Sequence, residues 1–289
     1  MVSNVIGVIF GLALRFVIAY LKLSPEYLSL AIVTVSLVPF LIRYFVFNAR
    51  YLKEKTPAKF RHQKRYISYV MYTGASLVVS AVSVTLYINI SSLLLRSLVS
   101  KEALGIYAVA ATIGGAWSFV NIAVLKSFTP MLYSSKDSSE INSKCSALAW
   151  VMIFFGGVYL FFYFLFGDFL IKLLYGRDYN SAYYVGFFIV ITTILSNLGQ
   201  LYSRVMFYYN DFKYLMYKTF VCTLLGLAFG IVLIKKFGLY GAAINNLVVE
   251  ILSLTIFNFF SKKVSIFRVQ LILFDLKRVS ISLKGMLKI

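Results

Sequence analysis

The sequence predicts an all-α, polytopic membrane protein with about eight transmembrane helices, and three observations carry that prediction. Of its 289 residues, 61% are hydrophobic and 13% are charged, against roughly 45–50% and about 25% in soluble domains. Apolar stretches close to the ~20 residues that cross a ~30 Å hydrocarbon layer recur along the chain. The basic residues behind the net charge of +19 lie mainly between those stretches. They read as a positive-inside bias and not as a nucleic-acid surface.

Hydropathy places spans near 2–22, 26–47, 67–94, 103–133, 144–167, 182–209, 213–234 and 239–260. The first, MVSNVIGVIFGLALRFVIAYL, lacks a basic leading region, contains Arg15 and runs on into further spans. It is expected to be a retained helix and not a signal peptide. Gly7 and Gly11 share nearly one face with GxxxG spacing, which suits close helix packing. Arg43 stands near the end of the second span, where a long side chain snorkels to the interface. Residues 48–66, NARYLKEKTPAKFRHQKRY, contain Pro57 and seven bases and read as a cytoplasmic connector. The chain therefore divides into a two-helix piece (1–47), the connector (48–66), a six-helix piece (67–260) and a basic tail (261–289).

The remaining elements follow the same logic. An amphipathic piece, GDFLIKLLYGRDY, is expected to connect the fifth and sixth spans, and FGLYGAA opens the eighth. The tail mixes bases with Phe267, Leu271, Ile272 and Phe274, a pattern suited to an anionic inner leaflet. Lys and Arg concentrate in alternate loops, including Lys136, Lys144, Lys213 and Lys218 beside the connector and tail. That asymmetry predicts a multi-pass protein with both termini in the cytoplasm.

Polar groups facing lipid are expensive, so polar stripes on spans imply a protein or water-filled interior. Tyr69, Thr73, Ser76, Ser80, Ser83, Tyr87 and Ser91 share a face of the third span. Thr193, Asn197, Gln200 and Arg204 do so in the sixth, and Ala243, Asn246, Glu250 and Ser253 in the eighth. The candidate cavity residues are Arg15, Lys126, Asn197, Gln200, Arg204, Asn246, Glu250, Ser80 and Ser83. Interhelical hydroxyl bonding is the competing reading for the third-span stripe. For Lys126 the competitor is snorkelling, and for Glu250 it is a hydrogen-bonded packing role.

Catalysis is not expected. His62, the only histidine, lies in the basic connector, which excludes triads and histidine-based metal sites. Cys145 and Cys222 lack metal-ligand spacing and read as small apolar packing residues. Asp168 and Asp178 suit solvated loop charges better than an acid/base pair. No catalytic residue, metal site or cofactor is expected, and a coupling ion, H⁺ or Na⁺, is left open.

Several local sequences resemble polysaccharide transporters. EALGIYAVAATIGGAWSFVNIAVLKSFTPMLYSS (102–135) resembles a segment in which a Gly-x-Tyr-x-x-Ala element opens a helix ending near a proline. Here those positions are Gly105, Tyr107, Ala110 and Pro130. FLIKLLYGRDYNSA (169–182) and FGLYGAA (237–243) resemble the recurrent Leu-Tyr-Gly and Gly-hydrophobic-x-Gly-Ala-Ala elements. Their order and span context match the O-antigen and lipid-linked oligosaccharide flippases, within the superfamily that includes multidrug exporters and the lipid II flippase.

The resemblance implies an alternating-access transporter with two six-helix lobes and about twelve spans. This chain resembles roughly the last eight: 67–260 would be a full second lobe and 2–47 two helices of the first. About four N-terminal helices would be missing, so the short chain is expected to be inactive alone or to need a partner chain that supplies them. Many relatives carry an acid late in the first helix of the second lobe, where this sequence has Asn89 and Ser91. The expected function is movement of an undecaprenyl-diphosphate-linked O-antigen or related oligosaccharide across the inner membrane for surface polysaccharide synthesis. Arg204, Arg15 and Lys126 would attract the diphosphate, while Asn197, Gln200, Ser80, Ser83 and Asn246 would bond sugar hydroxyls. Expected partners are the lipid-linked oligosaccharide, membrane lipids, and the polysaccharide polymerase and chain-length machinery. The alternatives are a cation-coupled drug exporter and, with less support, a membrane glycan polymerase or ligase.

Overall fold

A computed structural model describes residues 2–22, 24–51, 60–135, 137–261 and 270. The described residues form helices joined by short turns, with no strand among them. The chain is all-α and polytopic, as composition requires. Its contacts divide into two compact units, residues 1–68 and 69–289.

The first unit is built on α1 (Val2–Tyr20) and α2 (Leu28–Tyr51), joined by a short turn at Pro25–Tyr27. Its seam is set by the two glycines of the GxxxG spacing. A methyl group at Gly7 would lie 2.5 Å from Pro39 Cγ, and one at Gly11 would lie 2.3 Å from Val35 Cγ2. Only hydrogen at those positions lets α1 seat on α2. Arg43 donates to Asn4 Oδ1 at 2.5 Å, so its head group binds the start of α1 and does not only reach for water. Residues 52–59 of the predicted connector lie outside the described residues. So does the tail, except Ser261 and Gln270.

The second unit comprises most of α3 (Phe60–Leu98), then α4 (Lys101–Gly115), α5 (Ser118–Tyr133), α6 (Ser138–Tyr175), α7 (Ser181–Tyr208), α8 (Phe212–Leu254) and α9 (Ile256–Phe259). Three features depart from the sequence reading. The predicted fourth span, 103–133, is broken into α4 and α5, bent by 44°. The break follows the Gly114-Gly115 pair. At the break Ile113 O accepts from Ala116 N at 3.1 Å and from Tyr159 Oη at 2.5 Å, and Gly114 O accepts from Thr193 Oγ1 at 3.5 Å.

The second departure is GDFLIKLLYGRDY. Most of this segment continues α6 instead of forming a separate connector, because the first residue to leave the helix is Gly176, at φ 91°. Gly167 stays helical, with Tyr163 and Tyr183 rings against it. Phe154, Phe161, Phe162, Phe164, Phe169, Leu173 and Leu174 are exposed on α6, which suits hydrocarbon solvent and not water.

The third departure lies in α8, a run of 43 residues that holds the predicted seventh and eighth spans. Gly238, at φ 56° and ψ −125°, interrupts it. Asn245 Nδ2 donates to Gly226 O at 3.1 Å, and Lys218 Nζ to Asn258 Oδ1 at 2.7 Å. In one straight helix the first pair would be about 28 Å apart at ~1.5 Å rise per residue. Residues 212–237 and 239–254 are therefore two antiparallel arms of a hairpin that turns at Gly238. Among the described residues, six helices are long and apolar enough to cross a membrane. Counted as one span, the bent α4–α5 pair brings these to seven by length and composition, and the turn at Gly238 divides the α8 run into two arms.

Two apolar clusters hold the second unit. One gathers Leu125, Leu148, Met152, Leu201, Tyr202 and Met206; the other gathers Leu95, Ile113, Tyr163, Val185, Val190 and Ile234. The polar interior lies where one cluster gives way to the other. Tyr107 and Ile189 of the second cluster and Leu215 of the first line its chambers.

Candidate functional site

Two adjoining chambers lie within the second unit. The larger, of 240 Å³, is lined by α3, α4, α7 and the second arm of α8, and includes Tyr87, Tyr107, Thr193, Asn246 and Glu250. The smaller, of 110 Å³, includes Gln200, Ser203, Lys218, Cys222 and Ser253. Tyr87, Ile88, Ser196 and Glu250 line both, so they form the wall between them. The geometry is a polar interior in a bundle whose outer surface is apolar.

The wall is built from three helices. Tyr87 on α3 donates its hydroxyl to Glu250 Oε1 on the second arm of α8 at 2.8 Å. Ser196 on α7 lines both chambers together with that carboxyl. Glu250 is 3% exposed, and a buried carboxyl group needs such donors to offset its lost hydration. Gly199 packs beside it: a methyl group there would lie 3.9 Å from Oε2, in ordinary van der Waals contact.

A second polar knot lies beside the larger chamber. Asn246 Nδ2 donates to Tyr107 Oη at 2.7 Å, and Ser91 Oγ donates to Asn246 Oδ1 at 2.7 Å. Asn245 Nδ2 donates to Ser91 Oγ at 3.1 Å as well as to Gly226 O. These bonds lock α3, α4 and both arms of α8 together, and they orient Asn246 on the chamber wall. Trp117 Nε1 donates to Thr193 Oγ1 at 3.0 Å, tying the α4–α5 bend to α7 at the same level.

The residues expected at the site separate into three groups. Asn246 and Glu250 line the larger chamber, and Gln200 and Glu250 line the smaller. Ser80 and Ser83 face the first arm of α8: Thr219 Oγ1 donates to Ser80 Oγ at 3.3 Å and Thr223 Oγ1 to the Ser83 carbonyl at 2.9 Å. The structure uses them in helix packing, the competing reading of that stripe. Asn197 is buried and turned towards α5, where its Nδ2 lies 3.5 Å from Ser118 Oγ. The face of α7 that meets the chambers runs through Thr192, Ser196, Gly199 and Ser203. Ser196 is rotated about 100° from Asn197.

The three expected cations are not on these chamber walls. Arg204 stacks over Phe207 at 5.9 Å, and its carbonyl accepts from Tyr133 Oη at 3.4 Å. Lys126 is exposed on α5. Arg15 is exposed on α1 of the first unit.

Sequence reasoning did not place Lys218, Tyr107 or Ser196 at the site: it named Tyr107 only as part of a family element, and it placed Lys218 among the loop cations. Lys218 is instead 4% exposed, bonds Asn258 and lines the smaller chamber. The available signal was periodicity: Leu215, Lys218, Cys222 and Gly226 recur at helical spacing on the face that meets the second arm. Among the described residues no group of three His, Cys, Asp or Glu is placed to hold a metal ion. Asp168 and Lys172 pair with each other at 2.5 Å on α6.

No curated protein and no solved structure matches the chain. A family model described as "polysaccharide biosynthesis protein" matches residues 1–184, which run from α1 into the start of α7. That match covers more than half of the 289 residues, and the chain belongs to the polysaccharide biosynthesis protein family.

Proposed function

We infer that the protein acts in the transfer of an isoprenoid-diphosphate-linked oligosaccharide, of O-antigen type, from the inner to the outer leaflet of the bacterial inner membrane. Family membership supports a role in polysaccharide biosynthesis. The observation that carries the narrower reading is the 240 Å³ chamber, which brings Tyr87, Tyr107, Thr193, Asn246 and Glu250 to one wall of a lipid-facing bundle. Sugars cannot cross hydrocarbon cheaply. Neutral donors and acceptors with one carboxylate and two aromatic rings form a wall suited to glycan hydroxyls. The diphosphate would remain with basic residues at the cytoplasmic border, where Arg204 and Lys126 belong in a topology with both described ends in the cytoplasm.

Transfer between leaflets breaks no covalent bond, so this reading assigns no catalytic residue and no cofactor. Its partners are the lipid-linked glycan, the bilayer and the polymerising machinery that would receive the product. The test is reconstitution in liposomes with a fluorescent lipid-linked oligosaccharide on one leaflet. The expected result is faster appearance of the glycan to an impermeant quencher than in protein-free liposomes, with loss of that gain in Asn246→Leu. Elongation of the glycan without leaflet transfer would assign a polymerase instead.

A further inference from the structure

Two buried side chains of opposite charge face one small space. Glu250 and Lys218 both line the 110 Å³ chamber, one from each arm of α8. Each makes its direct hydrogen bond elsewhere: Glu250 Oε1 accepts from Tyr87 at 2.8 Å, and Lys218 Nζ donates to Asn258 Oδ1 at 2.7 Å. Among the described residues, the ion pairs within 4.0 Å are Lys144–Glu140 and Lys172–Asp168, so no direct salt bridge joins the two.

Leaving either charge without a partner in a membrane interior is costly. The space between them is far larger than the ~10–15 Å³ that admits one water. Thr219, Ser203, Gln200 and Ser253 supply further polar partners on its walls. The other titratable groups facing this space are Tyr87 on α3 and Cys222 on the first arm of α8. Neither supplies a positive charge.

We propose that Lys218 is the counter-charge of Glu250, held off by water in the smaller chamber, so that the chain carries its own cation for the carboxylate on the larger chamber's wall. The tethered ammonium does the work that an ion from solution would otherwise do there. Lys218 is a positioning residue: it acts on Glu250 and does not itself line the larger chamber.

The test uses the purified full chain in lipid nanodiscs, with thermal unfolding followed in sodium, potassium or choline chloride at equal ionic strength. The wild type should unfold at one midpoint in all three salts. Lys218→Met should unfold on the order of 5–10 °C lower in choline and recover part of that loss in sodium. Glu250→Gln should also be less stable, but without a salt preference. The double variant Lys218→Met/Glu250→Gln should recover towards the wild-type midpoint in every salt, and Lys218→Arg should behave as wild type. Removal of a merely structural lysine cannot raise the stability of Glu250→Gln, so this comparison decides the matter even where Lys218→Met alone fails to fold. A sodium preference in the wild type that Glu250→Gln abolishes would overturn the proposal, as would simple addition of the two single losses. No transport is measured, so the outcome stands apart from that of the leaflet assay.

Discussion

The Tyr87 hydroxyl meets Glu250 Oε1 at 2.8 Å, and this one bond joins α3 to the second arm of α8 at the wall between two chambers. It brings together residues 163 positions apart in sequence. It also explains how a carboxyl group can stand in the middle of an apolar helix: the donor comes from another helix, and the bundle around both excludes lipid.

Tyr87→Phe removes that donor while keeping the ring. A hydrogen bond to a buried carboxyl contributes about 1.5–3 kcal/mol, and denaturant unfolding in mixed micelles should show a loss of that size. Glu250→Gln retains an acceptor for Tyr87 and should lose less than Glu250→Leu. Equal losses in the two Glu250 variants would mean that the Tyr87 bond contributes nothing.

The hairpin turn rests on Gly238, whose φ of 56° and ψ of −125° disfavour any side chain. Gly238→Ala should destabilise the protein by about 1–3 kcal/mol. Gly74 is the control, because it lies within α3 and a methyl group there would have nothing within 4 Å. Gly74→Ala should be neutral or stabilising by up to about 1 kcal/mol. Unfolding of both variants side by side checks the contrast.

Bulk at Gly11 should separate α1 from α2. Gly11→Leu drives atoms into Val35, a type of overpacking that costs about 1–3 kcal/mol. Hydrogen exchange read by mass spectrometry should show faster exchange in peptides from residues 2–51. Peptides from 101–254 should be unchanged; loosening there as well would refute the local reading.

Asn246→Leu leaves both Tyr107 and Ser91 without their mutual partner. The expected loss is about 1–3 kcal/mol, together with loss of leaflet transfer in the reconstituted assay. Ser91→Ala removes one donor to Asn246 and keeps the Tyr107 bond, so it should retain more of both. Full transfer by a stably folded Asn246→Leu protein would remove this residue from the glycan path.

Much of the architecture was legible in the sequence because it follows from local composition. The apolar runs marked where the long helices lie, though α3 and α6 extend past the predicted bounds, and the glycine spacing in α1 foretold its seam on α2. The stripe carrying Asn246 and Glu250 was correctly read as facing a polar interior. The α4–α5 bend was less visible, since Gly114-Gly115 in a helix is tolerated unless neighbours donate to the carbonyls beside it. Those donors are Tyr159 and Thr193, 46 and 79 residues away from the carbonyls they meet.

The polar stripe of α3 shows the same boundary in finer detail. Its spacing predicts that Ser80, Ser83 and Tyr87 share a face, and they do face the bundle. Whether that face meets a cavity or another helix depends on what packs opposite. Ser80 and Ser83 meet Thr219 and Thr223, while Tyr87, one turn further on, meets a chamber. Lys218 was misplaced for the corresponding reason: a lysine near a span end reads as a loop cation until the partner arm is known to cover it.

By itself the sequence determined the solvent this protein lives in, the order of its crossings and which faces are polar, because hydropathy and helical periodicity are sums over neighbouring residues. Only the tertiary structure decided which polar faces enclose space, which merely zip helices together, and that Lys218 shares a chamber with Glu250. Those outcomes depend on donors and acceptors supplied from far along the chain, and no local pattern records where a distant helix will lie.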